Sequence, residues 1–272
     1  MEYSLEQVKQ ENLPLYSKLL SEVFPETKKY TTEFLNWQYF KNPAGKVIGF
    51  DAFYNGELVA HYVTIPVNYT FNNKVINGLL SLNTATSKQH QGKGLFVKLS
   101  SATYELGTKE DYKFVIGVAN QNSTHGFIKK LGFELIGKLD VKVFLGSVNP
   151  ALPNNTFFKS SWNTESVNWR LNCPGAMYYA DSNSVYSKTH LPFFKSVLSS
   201  LPVFKNNQLN KIGFNPFKIS IGLNLNPPTF AINLPEKLKP SPLNLIFKNL
   251  SRENLNINKE NCYFELIDFD AY

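Results

Sequence analysis

The chain has 272 residues, a formal net charge of +7 and 43% hydrophobic residues, enough for a full core in one large domain or two small ones. No apolar run approaches the length of a bilayer span, and the opening MEYSLEQVKQEN lacks the pattern of a secretory leader; a cytoplasmic protein with no membrane partner is expected. The charge comes from scattered lysines, with only Arg170 and Arg252 as arginines, so there is no basic stripe for nucleic acid. A mild positive field suits polyanionic small ligands, and a lysine-rich surface explains it equally well. Cys173 and Cys262 lack metal-like spacing and read as reduced, buried thiols; no metal is expected.

Residues 11 to 23 and 31 to 41 read as helices, the second opening on the cap-like Thr31-Thr32-Glu33. Asn42-Pro43-Ala44-Gly45 breaks the chain. Lys46 to Tyr54 and Glu57 to Tyr69 form a hairpin about Asn55-Gly56, and a second hairpin turns at Asn72-Asn73. A fourth long strand, 77 to 86, leads into Gln89-His90-Gln91-Gly92-Lys93-Gly94, and Leu95 to Leu106 is helical. A glycine-bearing loop between a strand and a helix N-terminus is an anion site: the first-turn N–H groups are unpaired, the dipole favours negative charge, and glycine lets a phosphate approach the backbone. There is no Gly-Lys-Ser/Thr, and Val97 stands where a dinucleotide motif has its third glycine.

Lys113 to Val118 reads as a buried strand, followed by the turn Ala119-Asn120-Gln121-Asn122-Ser123 and a helical segment ending Phe127-Ile128-Lys129-Lys130-Leu131-Gly132-Phe133. The loop fits Q/R-x-x-G-x-G/A. With the downstream strand, Asn/Ser turn, helix and Gly-Phe in order, residues 1 to 146 resemble the GNAT N-acyltransferases. The resemblance implies an α/β fold, a mixed sheet flanked by helices. It also implies acyl-CoA as cosubstrate, bound by Leu82, Thr84 and Thr86 of the fourth strand, by Gln89, Gln91, Gly92, Lys93, Gly94 and Leu95, and by Asn120, Asn122, Ser123 and Phe127. The family's oxyanion donor is a backbone N–H of the fourth strand, here within 82 to 86. Its acidic base falls at Asn83 and its tyrosine acid at Ile128, so both usual proton carriers are missing.

His61 alternates with apolar residues in Val59-Ala60-His61-Tyr62-Val63 and has a suitable pKa range. It is either the general base or a core histidine satisfied by backbone. Asn83 and Ser123 complete the candidate catalytic set, although Asn120 and Ser123 also suit a helix cap. His125 is either a thiol donor or a helix-start residue, His90 is expected to face solvent and His190 to be structural. Trp37, Tyr39, Trp169 and Arg170 are candidates to stack on a base or pair with a diphosphate; core packing is the competing reading for Trp37. Asp268-Phe269-Asp270 reads as a solvated tail.

A loop at 147 to 156 sets a domain boundary after residue 146. The later half, 147 to 272, lacks a glycine loop and carries prolines at 202, 216, 227, 228, 235, 240 and 242. Trp169-Arg170-Leu171-Asn172-Cys173-Pro174 echoes Trp37 to Pro43, so this half reads as a second α+β domain, a degenerate GNAT-like copy or an appended unit that shapes the acceptor site. Those two segments also resemble GNAT enzymes that acylate nucleotide-linked amino sugars in surface-polysaccharide pathways. The expected reaction is therefore acyl transfer to such an amine. A protein or polyamine acceptor, or a CoA-binding regulatory module without catalysis, are the alternatives.

Overall fold

Two asparagine turns start the first sheet. Asn55 and Gly56 have φ of 50° and 81°, and Asn72 and Asn73 have 48° and 64°, the left-handed pairs that let a two-residue turn follow strand twist. The computed structural model describes residues 2–269 apart from 147, 149–151, 153–154, 181–183, 202–208, 210–214, 229 and 236–242. Asp270 and the prolines at 202, 240 and 242 therefore lie outside the described residues. Strand β1 (Ser4–Gln7) precedes helices α1 (Leu13–Val23) and α2 (Thr32–Phe40). Thr31 caps α2 by accepting from the Phe34 N–H. Then come β2 (Ile48–Tyr54), β3 (Glu57–Phe71), β4 (Lys74–Thr86), α3 (Leu95–Lys109), β5 (Phe114–Ala119), α4 (Gln121–His125), β6 (Glu134–Lys138) and β7 (Asp140–Phe144). After α4 the chain widens into a π-type turn over Gly126–Lys130, and Gly132 (φ 68°) ends it.

The second half supplies β8 (Phe158–Ser160), α5 (Thr164–Leu171), β9 (Tyr179–Ala180), β10 (Val185–Lys188), β11 (Phe194–Ser199), β12 (Phe217–Leu223), β13 (Ile232–Asn233), β14 (Asn244–Asn249) and β15 (Phe264–Glu265). Two sheets result. One runs β1-β2-β3-β4-β5-β14-β6, with β8 on β3; the other runs β13-β7-β12-β11-β10-β9, with β15 on β12. Their centres share order and sense. In β2-β3-β4-β5 and in β9-β10-β11-β12 the first two pairings are antiparallel and the third is parallel.

Each sheet takes its next strand from the other half of the chain. β14 lies antiparallel between β5 and β6, and β7 lies antiparallel between β12 and β13. A division into 1–146 and 147–272 therefore does not follow the sheets. The rings of Tyr69, Phe114, Phe158 and Phe247, from β3, β5, β8 and β14, pack together with centroids 4.6 to 5.8 Å apart. This aromatic cluster is built by both halves.

The helices α2 and α5 meet in a self-complementary contact. Trp37 and Trp169 stack at 4.6 Å, and each indole N–H donates to the other's backbone carbonyl, at 2.9 and 3.1 Å. Both close the same short pattern, Thr32-Glu33-x-x-Asn36-Trp37 and Thr164-Glu165-x-x-Asn168-Trp169. Among the described residues, no helix is long and apolar enough to cross a membrane.

Candidate active site

The site begins where β4 and β5 stop pairing. These parallel neighbours share only Leu79↔Val115 and Leu80↔Ile116. β4 continues to Thr86 and β5 to Ala119, so the β5-facing backbone edge of 81–86 has no strand partner among the described residues. Unpaired strand edges are donors and acceptors in search of a ligand. An open cleft of about 610 Å³ occupies the gap. Leu82, Asn83, Thr84, Asn120, Asn122, Ser123 and Phe127 line it together with Phe96, Val118, Gly126 and Phe269. Phe24, Lys29 and Tyr30, from the α1–α2 connection, close the far wall. Sequence reasoning missed those three because nothing local marks a connection as cleft-facing.

The strand end leads into the glycine loop. Gly92 and Gly94 hold φ of 73° and 75°, in the left-handed region that favours glycine, and Gly94 is the N-cap of α3. A Cβ built at either position meets no atom within 4 Å. The loop thus leaves open space beside the first turn of a 15-residue helix. A diphosphate fits there: the glycines are needed for their backbone shape and leave room for an anion. Lys93 is exposed, whereas the Leu95 side chain is buried in the core, leaving only its backbone for a ligand. Thr86, Gln89 and Gln91 line a different hollow of about 700 Å³, against α1 and the β2–β3 turn. Gln91 Nε2 donates to the Thr86 carbonyl.

A β-bulge re-aims Asn83. His61 pairs with Ala85 but Val63 pairs with Leu82, so β4 carries one extra residue, and Asn83 takes φ 37°. Its Nδ2 donates to Gln38 Oε1 at 2.7 Å and to the Tyr39 hydroxyl at 2.9 Å. Tyr39 lies 3.0 Å from His61 Nε2, and His61 Nδ1 lies 2.7 Å from Asp51 Oδ1. Tyr16 donates to the other Asp51 oxygen at 2.7 Å. Tyr16, Tyr39, Asp51 and His61 are each 0% exposed. Burial pushes the Tyr39 and Tyr16 phenols well up, so both stay protonated donors.

Several expectations are corrected here. His61 sits in the core, reaching the cleft only through Tyr39 and Asn83, and its partners are side chains rather than backbone. β3 lies between β2 and β4 with both faces covered, so alternation could not tell a cleft face from a core face. Asp51, which the sequence reading missed, pairs directly with His61 across the Asn55-Gly56 hairpin. Counting back from that turn sets Phe50 opposite His61; a register shift at Ala52/Phe53 brings Asp51 there instead. Trp37 is spent on the α2–α5 contact. Trp169 and Arg170 line a separate, smaller cavity of about 50 Å³ between the halves, where Arg170 Nη2 donates to the Phe269 carbonyl. Neither stacks on anything in the cleft. Tyr39 is buried too, so its ring meets no ligand directly.

His90 points inward: it is buried, and its Nδ1 lies 3.0 Å from the Tyr3 hydroxyl. His125 and His190 are exposed. Asp268 is buried rather than solvated, accepting from Trp162 Nε1 and the Glu265 N–H. The Asn120 side chain caps α4, accepting from the N–H groups of Asn122 and Ser123, and Ser123 Oγ turns back to Asn120. Ile128 brings no hydroxyl. Among the described residues that line the cleft there is no Asp, Glu or His.

Comparison with known proteins agrees with this geometry. Residues 4–136 match the family described as Acetyltransferase (GNAT) domain. Over that stretch, just under half of the chain, the sequence is similar to a GNAT acetyltransferase domain. A GCN5-related N-acetyltransferase from Anabaena variabilis superposes with a TM-score of 0.59 at 10% identity, covering 92% of this chain and 73% of that one. A conserved protein from Enterococcus faecalis, described as an N-acyltransferase, gives 0.58 at 10% identity with the same coverages. A protein from Pyrococcus horikoshii described as an acetyltransferase gives 0.56 at 11% identity, covering 97% of this chain and 94% of that one. At such identities the likeness concerns the fold alone, but it extends across both sheets. No curated protein sequence matches the chain.

Proposed function

We propose that this chain transfers an acyl group, acetyl in the simplest case, from acyl-CoA to the primary amine of a small molecule seated in the cleft. The observation that carries this reading is the splayed β4–β5 pair ending at an open glycine loop on a helix N-terminus. Gly92, Gly94 and the first turn of α3 hold the diphosphate. The free backbone edge of 81–86 takes the amide-bearing arm and supplies the N–H that stabilises the oxyanion. Acyl-CoA supplies the thioester. The amine nitrogen bonds to the carbonyl carbon, the C–S bond breaks, sulfur leaves with the electron pair, and the proton lost by nitrogen passes through water to sulfur. With a thiol pKa of about 8.5, that last protonation needs no dedicated acid, which is consistent with Ile128 at the position of the usual tyrosine.

The finer reading, a nucleotide-linked amino sugar as acceptor, has less support. Trp37, Trp169 and Arg170 are committed to packing, so what favours an anionic acceptor is the net charge of +7 and Lys29 on the cleft wall. Thiol release from acetyl-CoA, measured with a panel of nucleotide amino sugars, free amino sugars, peptides and polyamines, tests both levels. We expect amine-dependent release with the sugar amines and little with polyamines. Preference for a polyamine would overturn the acceptor assignment. CoA binding without thiol release on any amine would make the chain a CoA-binding module instead.

A further inference from the structure

The buried chain of hydrogen bonds behind the cleft has a direction, and that direction determines what Asn83 offers a substrate. The Asp51 carboxylate only accepts, so His61 Nδ1 carries the proton between them. The Tyr39 oxygen accepts from Asn83 Nδ2, and where the imidazole carries its proton on Nδ1 the Tyr39 hydroxyl donates to His61 Nε2. A neutral imidazole with its proton on Nδ1 satisfies both ends. Asn83 Nδ2 spends its two hydrogens on Gln38 and Tyr39, which leaves Oδ1. With Gln38 Oε1 as the acceptor, turning the Asn83 amide alone would set two oxygens 2.7 Å apart with no proton between them. The bulge at φ 37° pins the backbone as well.

We propose that Asn83 Oδ1 is the acceptor-amine receptor of the cleft, taking an N–H of a neutral, weakly basic amine and aiming its lone pair along β4. Tyr39, His61 and Asp51 are positioning residues that act through it. Two observations set the amine class. An amide oxygen orients an N–H but cannot remove a proton at neutral pH, and no carboxylate or imidazole lines the cleft among the described residues. Among the described residues that line it the charged side chain is the cation Lys29, whose Nζ lies over the Tyr30 and Phe34 rings, and a cation on that wall disfavours an ammonium ion. An alkylammonium, as on lysine or a polyamine, would meet repulsion and no base. An amine that is already largely neutral would meet neither obstacle. The inference rests on the acyl-transfer reading for its meaning, but Asn83 can be tested separately.

The probe is 2,2,2-trifluoroethylamine, near-isosteric with ethylamine but a much weaker base. Fluorine NMR line broadening is followed with the full chain saturated with CoA, at neutral pH. Wild type should broaden the probe, and ethylamine at equal concentration should not displace it. Asn83→Gly keeps the left-handed backbone and removes the amide; losing one hydrogen bond worth about 1.4 kcal/mol should weaken the probe roughly tenfold. Tyr39→Phe keeps the ring but removes one of the two acceptors that hold Nδ2, leaving the amide tethered by Gln38 alone; it should weaken the probe about threefold, an order-of-magnitude share of one hydrogen bond, while calorimetric affinity for CoA stays at the wild-type value. Equal broadening in Asn83→Gly, no broadening by wild type, or displacement by ethylamine would each overturn the proposal. If CoA itself fails to bind, the acyl-transfer reading fails, and the same titration on the free protein still decides the role of Asn83.

Discussion

Asp268 is held between Trp162 Nε1 and the N–H of Glu265, three residues back in its own turn. Burial, and then the nearby Glu265 charge, push its carboxyl up to about 7. Glu265, caged by Ser199, Ser200 and Tyr263, is raised by burial in the same sense. The unfolded chain gives up these protons in the ordinary carboxylate range, near pH 4 on the usual scale. The folded chain keeps the Asp268 proton up to about 7. Between those values the folded state binds more protons, so its stability falls as pH rises. Urea midpoints measured across that window should therefore decline for wild type, and Asp268→Asn should flatten part of the slope. Parallel pH profiles for the two proteins would contradict the assigned burial. None of this was legible in the sequence, where an acidic pair near the end of a chain resembles a solvated tail. Its burial comes with contacts to Ser160 and Trp162, more than a hundred residues earlier.

At the scale of elements, what the sequence disclosed was what short-range chemistry decides. The Asn-Gly and Asn-Asn turns, the Thr31 cap, the glycine loop and the Gly132 stop are each encoded within a few residues, and each is found in place. Strand exchange is different. Nothing in Asn244 to Asn249 says that its neighbours are Phe114 to Ala119 rather than strands of its own half; that pairing is settled by which apolar face remains to be covered. Leu245, Ile246 and Phe247 are each at most 1% exposed between β5 and β6. Removing residues 147–272 would strip this strand from the middle of the first sheet, uncover Phe114 and Ile116, and leave β6 without its strand partner. We predict that a fragment of residues 1–146 lacks a cooperative urea transition and binds a hydrophobic dye, whereas the full chain unfolds cooperatively. A cooperatively folded fragment would show that β14 is dispensable.

The whole molecule is two sheets of the same strand order that exchange a strand and clasp through paired tryptophans, yet they are not equivalent as binding surfaces. The first sheet carries the glycine loop before α3; residues 147 to 272 contain no such motif. The faint echo between Trp37 and Trp169 was visible in the sequence, but its use in joining the halves was not, because a reciprocal contact is a property of three dimensions. The asymmetry makes a quantitative claim about ligand number. The most direct test is a calorimetric titration of CoA into the full chain, alongside Gly92→Val. Wild type should bind one CoA per chain. The variant should lose binding with the fold retained, because the added side chain enters space that the protein leaves open, at a backbone strain of roughly 1–2 kcal/mol. Two CoA per chain, or unchanged binding by Gly92→Val, would place the site elsewhere.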